Sequence, residues 1–268
     1  TVYSVEGLVG DIVLVTSHYN SLRYLRPQFF KDDREWYWDQ PVHETPVCGD
    51  GGETASSHMN NCCIYVRSEG ARSKQSEEEK YLKDAGLLEE WLKDRPDDTR
   101  AAFYVSQSYG DAGHYKKAKA NSAMKIIDYA SPMTYVLLLR KARWSAFLGA
   151  NDKKIVKLLE EAHKSNPERP EAALDLMRCY AARKDWENVV RYGVDQAHHQ
   201  EVPVMAIFAQ RNAWTWETKF LLGEAYLNLD RPDLAYQFFE EALLYWNFMS
   251  EKTEQQIKDN IKIAKQRL

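Results

Sequence analysis

Four cysteines and seven histidines are the metal-binding and nucleophilic side chains of this 268-residue chain, and their spacing decides how far such chemistry can be read. Cys48, His58, Cys62 and Cys63 place thiolates and an imidazole in one short stretch, donors suited to a tetrahedral zinc site. The stretch has no Cys-x-x-Cys pair, and adjacent cysteines chelate one ion poorly, so the spacing favours ordinary loop or buried cysteines. His198-His199, followed by Gln200-Glu201, reads as a pair of exposed loop histidines. Trp36 and Trp38 alternate, so on a strand both rings face one side, where they can stack on a sugar or nucleobase or pack into a core. Arg23 and Arg26 are three apart, which on a strand puts them on opposite faces, so at most one reaches a phosphate. His43 stands beside Glu44. Its imidazole can ligate a divalent ion when neutral or offset phosphate charge when protonated, and it equally fits a loop histidine hydrogen-bonded after a strand.

The composition narrows the classes of function. With 36 Lys and Arg against 40 Asp and Glu the net charge is −4, which lacks the basic excess that drives binding to a phosphate backbone and argues against a nucleic acid partner. Apolar runs such as Ile12 to Val15 and Tyr135 to Leu139 are far shorter than a membrane span, so no membrane span is expected. Four cysteines in a chain of this length match intracellular usage, and the expected location is the reducing cytoplasm. Hydrolase Gly-x-Ser-x-Gly, phosphate-binding glycine loops and His-Glu-x-x-His are absent from the sequence. Thr1 opens the chain, and no basic-then-apolar leader follows, so the sequence reads as a fragment whose natural N-terminus lies upstream.

The elements that must position these residues change character near residue 75. Before it the chain is rich in β-branched and aromatic residues with Gly and Pro punctuation, and short strands are expected at Tyr3 to Val5, Ile12 to Thr16, Glu35 to Trp38 and Cys62 to Val66. Cys48-Gly49-Asp50-Gly51-Gly52 reads as a turn. Four short strands make a poor sheet alone, so this region must complete a larger domain or lean on the helices that follow. From Ser76 onward Ala, Leu, Glu and Lys dominate. Ser76 with Glu79 forms a capping-box pattern, and Tyr81, Ala85, Leu88 and Leu92 make one apolar stripe that Pro96 ends. The fold class is therefore α+β: a small β-rich segment, 1–75, followed by an all-α helical repeat, 76–268.

The helices pair with a period of about 34 residues, the length of a tetratricopeptide repeat. The last repeat carries Leu222, Gly223, Tyr226, Ala235, Phe239 and Ala242 at the signature spacings. Earlier units give Val105, Ser106, Tyr109 and Ala118, then Ile155, Leu159, Ala162 and Pro167, then Leu176, Met177, Tyr180 and Val189. Ala118, Ile155, Val189 and Ala235 recur at about 37, 34 and 46 residues, the long interval holding an insertion near 197–213 with Pro203 and the Trp214/Trp216 pair. Four repeats result, closed by a tail with Ile257, Ile261, Ala264 and Leu268 on one face. First-helix residues of such repeats line a concave surface. Arg100, Phe103, Gln107 and Asp111, with Glu217, Phe220 and Glu224, are accordingly expected to face a polypeptide or another subunit.

Trp36-Tyr37-Trp38-Asp39-Gln40-Pro41-Val42-His43-Glu44, preceded by Arg23, Arg26 and Phe29-Phe30, resembles the end of the catalytic domain in family 2 glycosyltransferases, where an Arg-containing strand leads to W-x-W-x-x-P-V-H-E. Lys80-Tyr81-Leu82-Lys83-Asp84 and Phe103 to Gly113 resemble the start of the tetratricopeptide extension that follows it. The resemblance spans roughly residues 20 to 245 and implies a GT-A domain, a Rossmann-like sheet holding a nucleotide sugar, with an Asp-x-Asp motif gripping Mn or Mg. It implies catalytic roles for His43 and Glu44, with His43 near the metal or diphosphate, and substrate contacts for Trp36, Trp38 and Arg26. A glycan or protein acceptor, or self-association through the repeats, goes with it. The sequence contains no Asp-x-Asp and no counterpart of the nucleotide-binding sheet. The expectation is thus the C-terminal portion of a glycosyltransferase, inactive alone, and the alternative is a non-enzymatic tetratricopeptide adaptor.

Overall fold

The computed structural model describes residues 10–19, 22–67, 75–122 and 131–268, so the expected strand at Tyr3 to Val5 lies outside the described residues. Strand β1 (Ile12–Tyr19) runs antiparallel to β2 (Leu22–Phe30) and parallel to β5 (Ser56–Tyr65), giving the order β2-β1-β5. Between them β3 (Trp36–Asp39) and β4 (Thr45–Cys48) make a separate antiparallel pair. Two readings are corrected here. β4 takes up Cys48, where only a turn was expected, because Trp36 pairs with it across the hairpin. β5 begins six residues before Cys62, at Ser56, since pairing of Ser56 to Met59 with β1, rather than apolar alternation, starts this strand. Val15 and Met59 face each other in register and are both buried, which gives this small sheet its core.

Eleven helices follow among the described residues. α1 (Glu77–Asp94), α2 (Thr99–Asp111) and α3 (Tyr115–Ser122) share a compact unit with the five strands and with Val204–Ile207. α4 (Pro132–Phe147), α5 (Asp152–Ser165), α6 (Pro170–Ala181), α7 (Trp186–Gly193), α8 (Arg211–Trp214), α9 (Glu217–Asn228), α10 (Pro232–Leu243) and α11 (Glu251–Arg267) belong to a second compact unit. The Ser76 cap forms as its sequence dictates, accepting a hydrogen bond from the Glu79 N–H at 3.2 Å. Ala85 and Leu88 of the α1 stripe are fully buried.

Four helix pairs carry the repeat: α2/α3, α4/α5, α6/α7 and α9/α10. Their first helices all end in the same turn, in which one residue is left-handed: Gly113 (φ 79°), Gly149 (φ 75°), Lys184 (φ 60°) and Asp230 (φ 54°). The N–H of the next residue, His114, Ala150, Asp185 or Arg231, donates to the carbonyl five positions back, on Tyr109, Ser145, Tyr180 or Tyr226. This is the closure that satisfies the last carbonyls of a helix and reverses the chain. One extra residue, Asn151, which caps α5 by accepting from the Lys154 N–H, follows the second turn and lengthens that interval. Most signature residues form the core of each pair. Val105, Ser106, Tyr109, Ala118, Leu159, Ala162, Leu176, Met177, Val189, Leu222, Ala235, Phe239 and Ala242 are buried, whereas Ile155, Tyr180 and Tyr226 are half-buried and Pro167 is exposed.

A stretch without helix runs from the end of a 3₁₀ turn at Val194–Gln196 to α8. α11 closes the second unit with Ile257, Ile261 and Ala264 buried against Ala235, Phe239 and Ala242. Leu268 does not join them. It follows the last helical residue, Arg267, and stays 70% exposed.

Candidate functional site

The Trp-x-Trp strand delivers the Pro-Val-His-Glu segment onto α2 and its N-cap. Gln40 (φ 74°) and His43 (φ 56°) both adopt the left-handed conformation that non-glycine residues reach at a cost of about 1 kcal/mol or more each. Three residues of α2 and its cap hold the loop in that shape. Asp98, the N-cap of α2, accepts from the Ala101 N–H at 2.8 Å, from Trp91 Nε1 at 2.9 Å, and from Gln40 Nε2 at 3.0 and 3.2 Å. Burial works against its charge, but these donors outweigh it and keep the carboxyl below its ordinary value. Arg100 Nη2 donates to the His43 carbonyl at 2.8 Å. The His43 ring lies flat on Tyr104, with centroids 4.0 Å apart and planes 7° apart, and the Arg100 guanidinium stands 4.8 Å from the centre of the same tyrosine ring.

The other residues expected at a catalytic site go elsewhere. Trp36 and Trp38 do share a face, as alternation requires, and both rings meet Phe30, at 5.3 and 5.7 Å. Trp38 is 57% exposed, whereas Trp36 is half-buried, donates from Nε1 to the Lys31 carbonyl and lies under Arg34. Arg26 is exposed on β2 opposite Val15, and Glu44 is exposed beyond His43. Among the described residues no three His, Cys, Asp or Glu side chains converge on one point. Cys48 donates to Asp50 and His58 Nε2 is 3.0 Å from Thr16 Oγ1, so the zinc candidates are engaged separately.

The expected partner surface needs correction in both units. Phe103 and Gln107 are 3% and 7% exposed and cannot face a partner. α2 packs on α1 and on α3, and the 40–43 loop covers Arg100 and Tyr104, so little of this helix remains open. Asp111 is half-buried at the end of the helix. Phe220 packs into the α10–α11 core near Phe239. Glu224 is reached by Gln256, and burial raises its pKa above the ordinary carboxylate value.

Glu217 is half-buried. Across the first helices of the second unit it ends a continuous polar ladder. Gln210 Oε1 accepts from Arg143 Nη2 at 3.0 Å, Arg143 Nε donates to Asp175 at 2.6 Å, Asp175 accepts from Arg178 at 2.7 Å, and Arg178 reaches Glu217 at 2.6 Å. Asn212 Nδ2 closes the far end on Glu217. Burial alone would lower the Arg178 pKa, but Glu217 and then Asp175 more than offset it, and its charge is reinforced. Sequence reasoning missed Arg143, Asp175 and Arg178. The signal was present as charged residues recurring on the first helices of successive pairs, where a core would carry none.

No family model matches the sequence, and a search of curated proteins returns no match. Among solved structures the fold is similar to BtubC (BKLC) from P. vanneervenii, at a TM-score of 0.50 and 13% identity over 74% of this chain and 85% of that one. MamA gives a TM-score of 0.47 at 16% identity over 73% of this chain and 99% of that one. A thermophilic TPR protein in Thermus thermophilus gives 0.37 at 17% identity over 69% of this chain and 91% of that one. At such identities the likeness to BtubC is one of fold. The repeat assignment stands on the four helix pairs, their common turn and their buried signature residues. No helix among the described residues is long and apolar enough to cross a membrane.

Proposed function

We propose that this chain is a tetratricopeptide-type docking protein whose second unit binds a polypeptide of mixed charge along the first helices of its repeats. The polar ladder Arg143–Asp175–Arg178–Glu217 carries this reading. Alternating donors and acceptors on successive first helices suit an extended backbone and its charged side chains, and Arg178 is exposed enough to meet them. The net charge of −4 fits a polypeptide better than a nucleic acid. Selection of random peptides on the immobilised chain tests it. Enriched sequences should carry both acidic and basic residues and bind with micromolar dissociation constants, about 8 kcal/mol.

A second reading is the C-terminal portion of a family 2 glycosyltransferase, in which the repeats hold the acceptor or join subunits. The strained Gln40–His43 loop supports it, because left-handed non-glycine residues concentrate where function requires an exact backbone shape. In that reading His43 and Glu44 sit at the edge of a nucleotide-sugar pocket, with Trp38 as an aromatic platform. Calorimetry of this chain with nucleotide sugars and manganese is expected to give nothing tighter than about millimolar, roughly 4 kcal/mol. Micromolar binding would mean that these residues make a complete donor site.

A further inference from the structure

The 40–44 loop is costly by itself. It holds two left-handed non-glycine residues, and the Gln40 Oε1 and Arg100 Nε atoms beside it are buried without hydrogen-bond partners among the described residues. A connection needed only to join β3 to β4 has cheaper solutions, since a short hairpin turn places glycine or asparagine at such angles. The compensation comes from outside the hairpin. Asp98 fixes the side chain of Gln40, Arg100 fixes the carbonyl of His43, and Tyr104 fixes its ring. All three sit on the cap and first two turns of α2, at positions 98, 100 and 104, and the same Asp98 also anchors Trp91 of α1.

From this arrangement we infer that the first helical hairpin is part of the His43 site: Asp98, Arg100 and Tyr104 are positioning residues that set the orientation of the His43 imidazole and the backbone from Gln40 to His43. The α1–α2 hairpin is then a functional extension of the loop, and a change at the start of the repeats reaches His43 through the Arg100 hydrogen bond and the Tyr104 ring stack, and reaches Gln40 through Asp98. The use of that imidazole in sugar transfer rests on the glycosyltransferase reading above. The positioning rests on geometry alone, and its test reads the histidine itself, so failure of either is told apart from failure of the other.

The experiment uses the whole 268-residue chain with ring-labelled histidines, the His43 signal being assigned from its loss in His43→Gln. Stacking on Tyr104 should move the His43 ring protons upfield. Tyr104→Phe should keep that displacement and Tyr104→Leu should abolish it, with the other six histidine signals serving as a check on folding. Amide hydrogen exchange at Val42 to Glu44 should rise about tenfold in Arg100→Ala and return most of the way in Arg100→Lys, which restores a donor to the carbonyl. A role in folding alone would change exchange throughout α2 and not respond to the lysine. An undisplaced His43 ring in the wild-type chain, or equal exchange at residues 42–44 with and without Arg100, overturns the inference.

Discussion

Gly223 of α9 lies against the ring of Phe239 in α10 so closely that a Cβ at position 223 would stand 2.6 Å from two ring carbons. The preceding pair reverses the sizes: Met177 occupies the equivalent place on α6, and Gly193 of α7 receives it, a Cβ there standing 2.5 Å from the Met177 methyl. The two contacts are complementary solutions to one packing problem, a large side chain on one helix and none on the other. Gly223→Ala should therefore destabilise the second unit, the overpacking cost of about 1–3 kcal/mol exceeding what alanine gains in helix propensity. Gly193→Ala should cost less, because a thioether end swings aside where a buried ring cannot. Equal losses in chemical denaturation would refute this account of the contact.

The shared turn yields a second expectation. Lys184 and Asp230 hold the left-handed position that glycine fills at 113 and 149. Asp230→Gly and Lys184→Gly should each stabilise by a few tenths up to about 1 kcal/mol, despite the added freedom of the unfolded chain. Gly149→Ala should lose a comparable amount. Thermal melts of the three variants decide it, and a destabilised Asp230→Gly would mean that its side chain, not its backbone, shapes the turn.

Glu171 is the most heavily committed charge in the second unit. It is fully buried, and its carboxylate accepts from Arg169, Tyr135, Trp214 Nε1 and the Gln210 N–H, so it ties the insertion to α4 and α6. Glu171→Ala would leave the Arg169 charge buried without this partner and should cost about 3–5 kcal/mol. Its fluorescence signature is a Trp214 released from its acceptor. Burial pushes the Glu171 pKa up, but Arg169 and Trp214 more than offset this and hold it below the ordinary value. The contribution is thus present above about pH 4.5, the ordinary value, and is lost as the pH falls through the lowered one.

Two histidines set a milder acid sensitivity. Burial holds His163 below 6.5, and burial followed by the charge of His198 does the same for His199, against opposing help from Asp195 and Glu168 respectively. The folded state favours the neutral rings, so the unfolded chain binds protons first as the pH falls. Stability should be complete above about pH 6.5 and decline as the pH drops from there through the lowered folded values. The His163→Gln/His199→Gln double variant should show a flatter dependence of melting temperature between about pH 7.5 and pH 5.5. An unchanged slope would place the sensitivity elsewhere.

Much of the helical part was legible because burial and repetition act on the same residues. Gly223, Ala235 and Phe239 had to be small, small and large for one pair to close. The surface was less legible. Phe103 and Gln107 occupy first-helix positions that face outward in a bare repeat, but here α2 sits between two helices and under the 40–43 loop, a packing that no periodicity records. Gly113 and Gly149 mark their turns by residue type, whereas Lys184 and Asp230 adopt the same geometry without a glycine to announce it. The sheet was hardest to read, since β5 is defined by pairing to β1 and its polar sequence carries no alternation.

We propose that the ladder on the first helices of the second unit recognises polypeptide. The most direct measurement is the affinity of library-selected peptides for the wild-type chain and for Arg178→Ala and Glu217→Gln, by calorimetry at two ionic strengths. The account predicts at least a tenfold loss in each variant, about 1.4 kcal/mol, and weaker binding at higher salt because exposed charge pairs are screened. Peptides that bind all three proteins equally, or with no response to salt, would contradict it.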